Sequence, residues 1–109
     1  MRIIYTKSYD STLKKLKKHV KEYDNLNKIL LLIKNSNDFA SLIQNPLTSM
    51  YGFEKLRYFK EDVFAFNLCK NGGVIRLIVI SKDNNFYLVY ISYKHYEDFD
   101  IERVIYYDE

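Results

Sequence analysis

Arg76 interrupts an otherwise apolar run, Val74-Ile75-Arg76-Leu77-Ile78-Val79-Ile80, in a stretch that reads as a central strand. A charge there needs a partner. Its stem can cover apolar surface while the head snorkels or pairs with a carboxylate, or the guanidinium can face an open groove and hold a phosphate in two-pronged geometry. His95 ends the aromatic strand Tyr87-Leu88-Val89-Tyr90-Ile91-Ser92-Tyr93, inside Lys94-His95-Tyr96. Imidazoles titrate near neutrality, so a histidine there can give or take a proton under cell conditions, or can be purely structural. Glu54 precedes Lys55, Leu56 and Arg57, and two cations within three positions can attract phosphate, although the same residues also make an ordinary charged loop.

Other residues carry less. Lys14, Lys15, Lys17, Lys18 and Lys21 read as the solvated side of a helix that could also track an RNA backbone through counterion release. His19, among them, reads as facing solvent. Most of the eleven tyrosines should fill the core or its edges, with Tyr96 the stacking candidate because it adjoins His95. Cys69 alternates with core residues and reads as a buried small hydrophobe. As the only cysteine it excludes an intramolecular disulfide and a C-x-x-C metal framework.

These residues need elements to hold them. Arg2 to Thr6 reads as a short strand, followed by the turn-like Ser8, Asp10 and Ser11. Leu13, Leu16, Val20 and Tyr23 form one helical stripe, with Asp10 or Ser11 as its N-cap. Asp24 and Asn25 interrupt it, and Leu26, Ile29, Leu30 and Ile33 begin a second helix, which predicts a helical hairpin. Phe39, Leu42 and Ile43 add a turn or two before Asn45 and Pro46 stop it, and a loop leads to Gly52. From Phe64 the period becomes that of strands: Phe64, Phe66 and Leu68 alternate, Lys70 to Gly73 turn, Val74 to Ser81 run on, Lys82 to Asn85 turn again, and Phe86 to Tyr93 follow. Such short turns demand antiparallel neighbours. The tail from Glu97 has room for a helical turn and a short strand at Val104 to Tyr107. The expected fold is α+β: an N-terminal strand and helical hairpin packed on one face of an antiparallel sheet of about four strands, with the other face free for function.

The chain has 109 residues, 48% of them hydrophobic and 17% aromatic. Folding at this length buries roughly two-thirds of the unfolded surface, so wholesale disorder is excluded. No apolar stretch approaches the roughly 20 residues of a bilayer span, and there is no signal-peptide segment, so a soluble, cytosolic protein without membrane association is expected. The net charge of +3 is unevenly spread: residues 1–34 hold nine Lys/Arg against three Asp/Glu, whereas residues 94–109 hold two against six. A basic front half favours a polyanion or an acidic protein, and the acidic tail would oppose phosphate unless it points elsewhere.

Taken in order, Asn45-Pro46, Gly52-Phe53-Glu54-Lys55-Leu56-Arg57, Arg76-Leu77-Ile78-Val79 and His95-Tyr96 resemble the RelE/ParE superfamily of toxins from bacterial toxin–antitoxin pairs, most closely the YoeB-like branch. The resemblance covers residues 1–96. It implies a single RelE-like toxin domain over residues 1–109, with 97–109 as an acidic extension, because relatives typically stop soon after H-Y. It further implies a cofactor-free, metal-independent endoribonuclease that cuts mRNA on the ribosome, the 2′-hydroxyl attacking the adjacent phosphate to leave a 2′,3′-cyclic phosphate and a 5′-hydroxyl. By matched position Glu54 would be the general base, His95 the general acid, Arg76 the stabiliser of the phosphorane, and Tyr96 a group that positions or stacks on the RNA. Lys55, Arg57 and Lys94 would contact the RNA. The resemblance also implies a cognate antitoxin that wraps this surface; a homodimer is left open. Two non-enzymatic readings stand beside it. One is a ParE-type toxin that acts by binding DNA gyrase, against which the joint presence of Glu54, Arg76 and His95 argues. The other is a small interaction domain whose basic helices dock an acidic partner.

Overall fold

The period-two segments pair as expected in the computed structural model, which describes residues 1–70 and 72–107. Strands β1 (Arg2–Tyr5), β2 (Glu54–Lys55), β3 (Val63–Asn67), β4 (Arg76–Lys82) and β5 (Asn85–Ser92) form one sheet in the order β1-β5-β4-β3-β2. β2 to β5 are antiparallel neighbours, and β4 and β5 are joined by the tight turn at Asp83-Asn84, both with positive φ, as a two-residue hairpin loop requires. The sheet is therefore larger than expected and mixed, because β1 lies parallel to β5, Ile3 opposite Phe86. A parallel pair needs a long crossover, which the helices and the other strands supply.

Helices α1 (Lys7–Leu16), α2 (Val20–Lys34), α3 (Phe39–Gln44) and α4 (Pro46–Met50) complete the order of elements. Three features of the helices differ from the sequence reading, the third being that the expected loop before Gly52 contains α4. The N-cap of α1 is Thr6, not Asp10 or Ser11: its Oγ1 accepts from the Tyr9 amide at 3.1 Å and donates to the Leu88 carbonyl at 2.8 Å, tying helix and sheet together. The break between α1 and α2 falls at residues 17–19 rather than at Asp24-Asn25, and Val20, taken as part of the buried stripe, is 69% exposed. Pro46 starts a helix as well as ending one, since its missing N–H costs nothing at a first helical position and Asn45 caps the Leu47 amide at 3.0 Å.

The helical side of the sheet is sealed by Tyr9, Leu16, Leu26, Ile29, Ile33 and Leu42 packed on Phe66, Leu77, Phe86, Leu88 and Ile91. The opposite face is not wholly free, contrary to the expectation from the α+β pattern. Leu56, Val63, Ala65, Ile78, Ile80 and Val89 form a second apolar cluster there, overlaid by Phe59 and by Tyr96, Phe99, Ile101 and Val104. Phe99 sits between Phe59 and Tyr90, with ring centroids 5.6 and 5.4 Å away. Beyond the 3-10 turn Ile101–Arg103 the chain forms no strand up to Tyr107; instead the Ile105 and Tyr106 carbonyls accept from the Ser8 and Lys7 amides at 3.0 and 3.3 Å. Those are first-turn donors that a helix leaves unpaired. The tail thus runs back along β5 and reaches Tyr87, whose ring lies 6.1 Å from that of Tyr106. No helix among the described residues is long and apolar enough to cross a membrane.

Candidate active site

Strand register decides which side chains share a face. Glu54 lies opposite Ala65, which lies opposite Ile78, and both of those belong to the non-helical cluster. Asn67, Arg76 and Ser92 pair in the neighbouring row, two residues along and on the same face. Glu54 on β2 is separated from β5 by two strands, roughly 14 Å at the usual spacing. The chain after β5 folds back over the sheet and closes that gap: the Tyr96 hydroxyl donates to Glu54 Oε1 at 3.0 Å.

Around that bond lies an open groove of about 510 Å³, walled by Glu54, Lys55, Leu56, Arg57, Tyr58, His95 and Tyr96. The His95 and Tyr96 rings are 4.7 Å apart. Both residues have positive φ, 51° and 77°, a conformation that costs a bulky residue about 1–3 kcal/mol and persists only where the surroundings over-determine it.

Arg76 is brought to the site but not onto the groove wall. Its Nη1 donates to Asn67 Oδ1 at 3.1 Å and to the Gly73 and Ile75 carbonyls at 3.1 and 3.2 Å. No carboxylate forms an ion pair with it among the described residues. Its charge still reaches the Tyr96 hydroxyl: burial, then Glu54, push that group up to about 12, while Arg76 pulls it back. Gly73 makes the approach of the preceding turn feasible, since a Cβ there would stand 2.5 Å from Cys69 Sγ.

The flanking cations separate. Arg57 lies on the groove. Lys55 touches it, but strand alternation sends its side chain to the other face, where its ammonium is 3.1 Å from Asp62. Lys94 is exposed beside His95 and lies off the groove wall. His19 is exposed yet not alone in solvent, its ring 6.0 Å from that of Tyr93, over which Lys15 also sits. Cys69 is half-buried rather than buried. Three polar residues of this region carry no sequence signal by themselves: Tyr58 on the groove rim, Asn67 under Arg76, and Asp98, which meets Ser92 and Tyr93 only because the chain turns at residues 94–97. Among the described residues no group of three or more His, Cys, Asp or Glu is placed to hold a metal ion.

Burial raises the Tyr93 hydroxyl as well, to about 12, and that of Tyr9 further. The folded chain keeps these protons to higher pH than the unfolded chain, whose tyrosines titrate near 10. Above that pH the unfolded state binds fewer protons, so the contribution of these tyrosines to stability is constant below about pH 10 and is lost towards about pH 12. Urea midpoints should fall across that window, and fall less in a Tyr93→Phe/Tyr96→Phe double variant; parallel curves would contradict the assignment.

The order of strands, the helices on one face and a groove at the end of the last central strand define a RelE-like α+β fold. Solved structures with this fold include the DinJ–YafQ complex of E. coli, 19% identical with a TM-score of 0.65 over 92% of this chain and 100% of that one. A second structure of that toxin–antitoxin complex gives 19% and 0.64 over 90% and 96% of the two chains. A copper-bound mutant toxin from Helicobacter pylori is 17% identical, with a TM-score of 0.65 over 91% and 99%. At these identities the likeness is one of fold. No protein-family model and no curated protein matches the chain in sequence.

Proposed function

We propose that this chain is the toxin of a toxin–antitoxin pair in the RelE/ParE superfamily, of the YoeB-like kind, and that it cleaves mRNA on the ribosome without a metal. The observation that carries this reading is the convergence of Glu54, His95 and Tyr96 on one open groove, with Arg76 beside the Tyr96 hydroxyl. In that groove the 2′-oxygen attacks phosphorus while the bond from phosphorus to the 5′-oxygen breaks. Glu54 takes the 2′ proton on the carboxylate oxygen not engaged by Tyr96, and His95, entering as imidazolium, gives its proton to the departing 5′-oxygen. Arg76 offsets the charge on the crowded phosphorane, the kind of electrostatic term that is often the largest in catalysis. Arg57 and Lys94 hold flanking phosphates; Lys55, paired with Asp62, contributes less. The partner is a cognate antitoxin, as DinJ is for YafQ in the complex of the same fold.

Incubating the purified chain with translating ribosomes and chelator, then mapping RNA ends, tests this. Ends bearing 2′,3′-cyclic phosphate and 5′-hydroxyl are expected. Growth arrest on expression without any cut RNA would replace the nuclease with a binding toxin of the ParE type.

A further inference from the structure

We propose that Asp98, in the segment that follows Tyr96, is a positioning residue for His95, acting through Ser92; the role in catalysis rests on the nuclease reading above. Ser92 is fully buried, so its hydroxyl requires partners. It donates to Asp98 Oδ1 at 2.5 Å and accepts from the Tyr96 amide at 2.9 Å and, more weakly, the Lys94 amide at 3.4 Å. The other carboxylate oxygen of Asp98 accepts from the Tyr93 amide at 3.0 Å. One serine and one aspartate therefore grip both ends of the turn that displays His95. The two left-handed residues sit inside that grip, and the His95 amide bond to the Val74 carbonyl, at 3.3 Å, is long by comparison. Hydrogen bonds to a carboxylate are stronger than those between neutral groups, which suits Asp98 to hold a strained turn.

Two neighbours hold the clamp in register. Ser92 lies opposite Arg76 across the β4–β5 pair, so the clamp is built on the strand row that carries the guanidinium. Phe99, next to Asp98, is wedged between Phe59 and Tyr90. The acidic segment thus contributes a fixed anion beneath the turn, and its charge is directed at one backbone amide and a hydroxyl. A misplacement of about 1 Å at a reacting group costs on the order of 100-fold in rate, so loosening this turn should show chiefly in kcat.

The test compares the full chain with Asp98→Ala, Asp98→Asn and Ser92→Ala, using amide exchange at Tyr93 and Tyr96 alongside kcat and KM for ribosome-bound mRNA. Asp98→Ala should speed exchange at both amides at least about tenfold and lower kcat about 100-fold at nearly constant KM. Asp98→Asn, able to keep one acceptor, should recover part of both. Ser92→Ala, a minimal truncation, should speed exchange at Tyr96 more than at Tyr93 and lower kcat likewise, and it carries the test where Asp98→Ala fails to fold. Unchanged exchange overturns the clamp. Faster exchange with kcat intact overturns the positioning role. A wild-type chain that cuts no RNA overturns the nuclease reading and the catalytic role with it, whereas the exchange result reports on the clamp independently.

Discussion

Under the nuclease reading proposed above, replacing His95 with alanine is expected to lower the rate of RNA cleavage by about 10²- to 10⁴-fold, the usual contribution of a placed proton donor, and to relieve growth arrest on expression. His95 is the sharper probe among the candidates. Its side chain is exposed and lies on the groove, so removing it takes little packing away. Arg76→Ala, in contrast, removes three hydrogen bonds from Nη1 and loosens the Gly73 turn together with the chemistry. Arg76→Lys keeps the charge but not the fork, and should still lose activity. Thermal unfolding of His95→Ala should stay close to that of the parent. A folded His95→Ala chain that arrests growth as fully as the parent would remove the general-acid role and leave a toxin that acts by binding.

Removing residues 97–109 should cost much of the fold. Phe99, Ile101 and Val104 pack on the non-helical cluster, and full burial of such side chains is worth about 1.5–3 kcal/mol each. They are only partly buried, so about 1 kcal/mol each is the fair share, and the two amides at the start of α1 that lose their acceptors add about 1 kcal/mol apiece. The sum, about 5 kcal/mol, stands against a total stability of roughly 5–15 kcal/mol for a domain of this kind. Circular dichroism should therefore show a melting temperature far below that of the intact chain. An unchanged melt would show the segment to be dispensable for the fold.

Much of the molecule was legible in one dimension. The alternation of Phe64, Phe66 and Leu68, the β-branched run after Gly73 and the aromatic run from Phe86 to Tyr93 correspond to β3, β4 and β5 within a few residues. The order of Glu54, Arg76, His95 and Tyr96 carried a family resemblance, and it was that resemblance which implied acid–base chemistry on a phosphate. Local periodicity is enough for this, because a pleated strand buries every second side chain whatever lies beyond it.

Tertiary structure alone decided the rest. Thr6 becomes a helix cap because Leu88, distant in sequence, holds its hydroxyl. Lys55 is turned away from its neighbour Glu54 because β2 pairs with β3. Arg76 is held by Asn67 and the Gly73 turn off the groove wall, while the tail's backbone carbonyls pair with the start of α1 and Asp98 grips the turn at His95. Residue identity determined which reactive groups the chain carries; contacts between residues far apart in sequence determined which of them meet, since hydrogen-bond partners and packing surfaces at that separation leave no periodic trace in the chain itself.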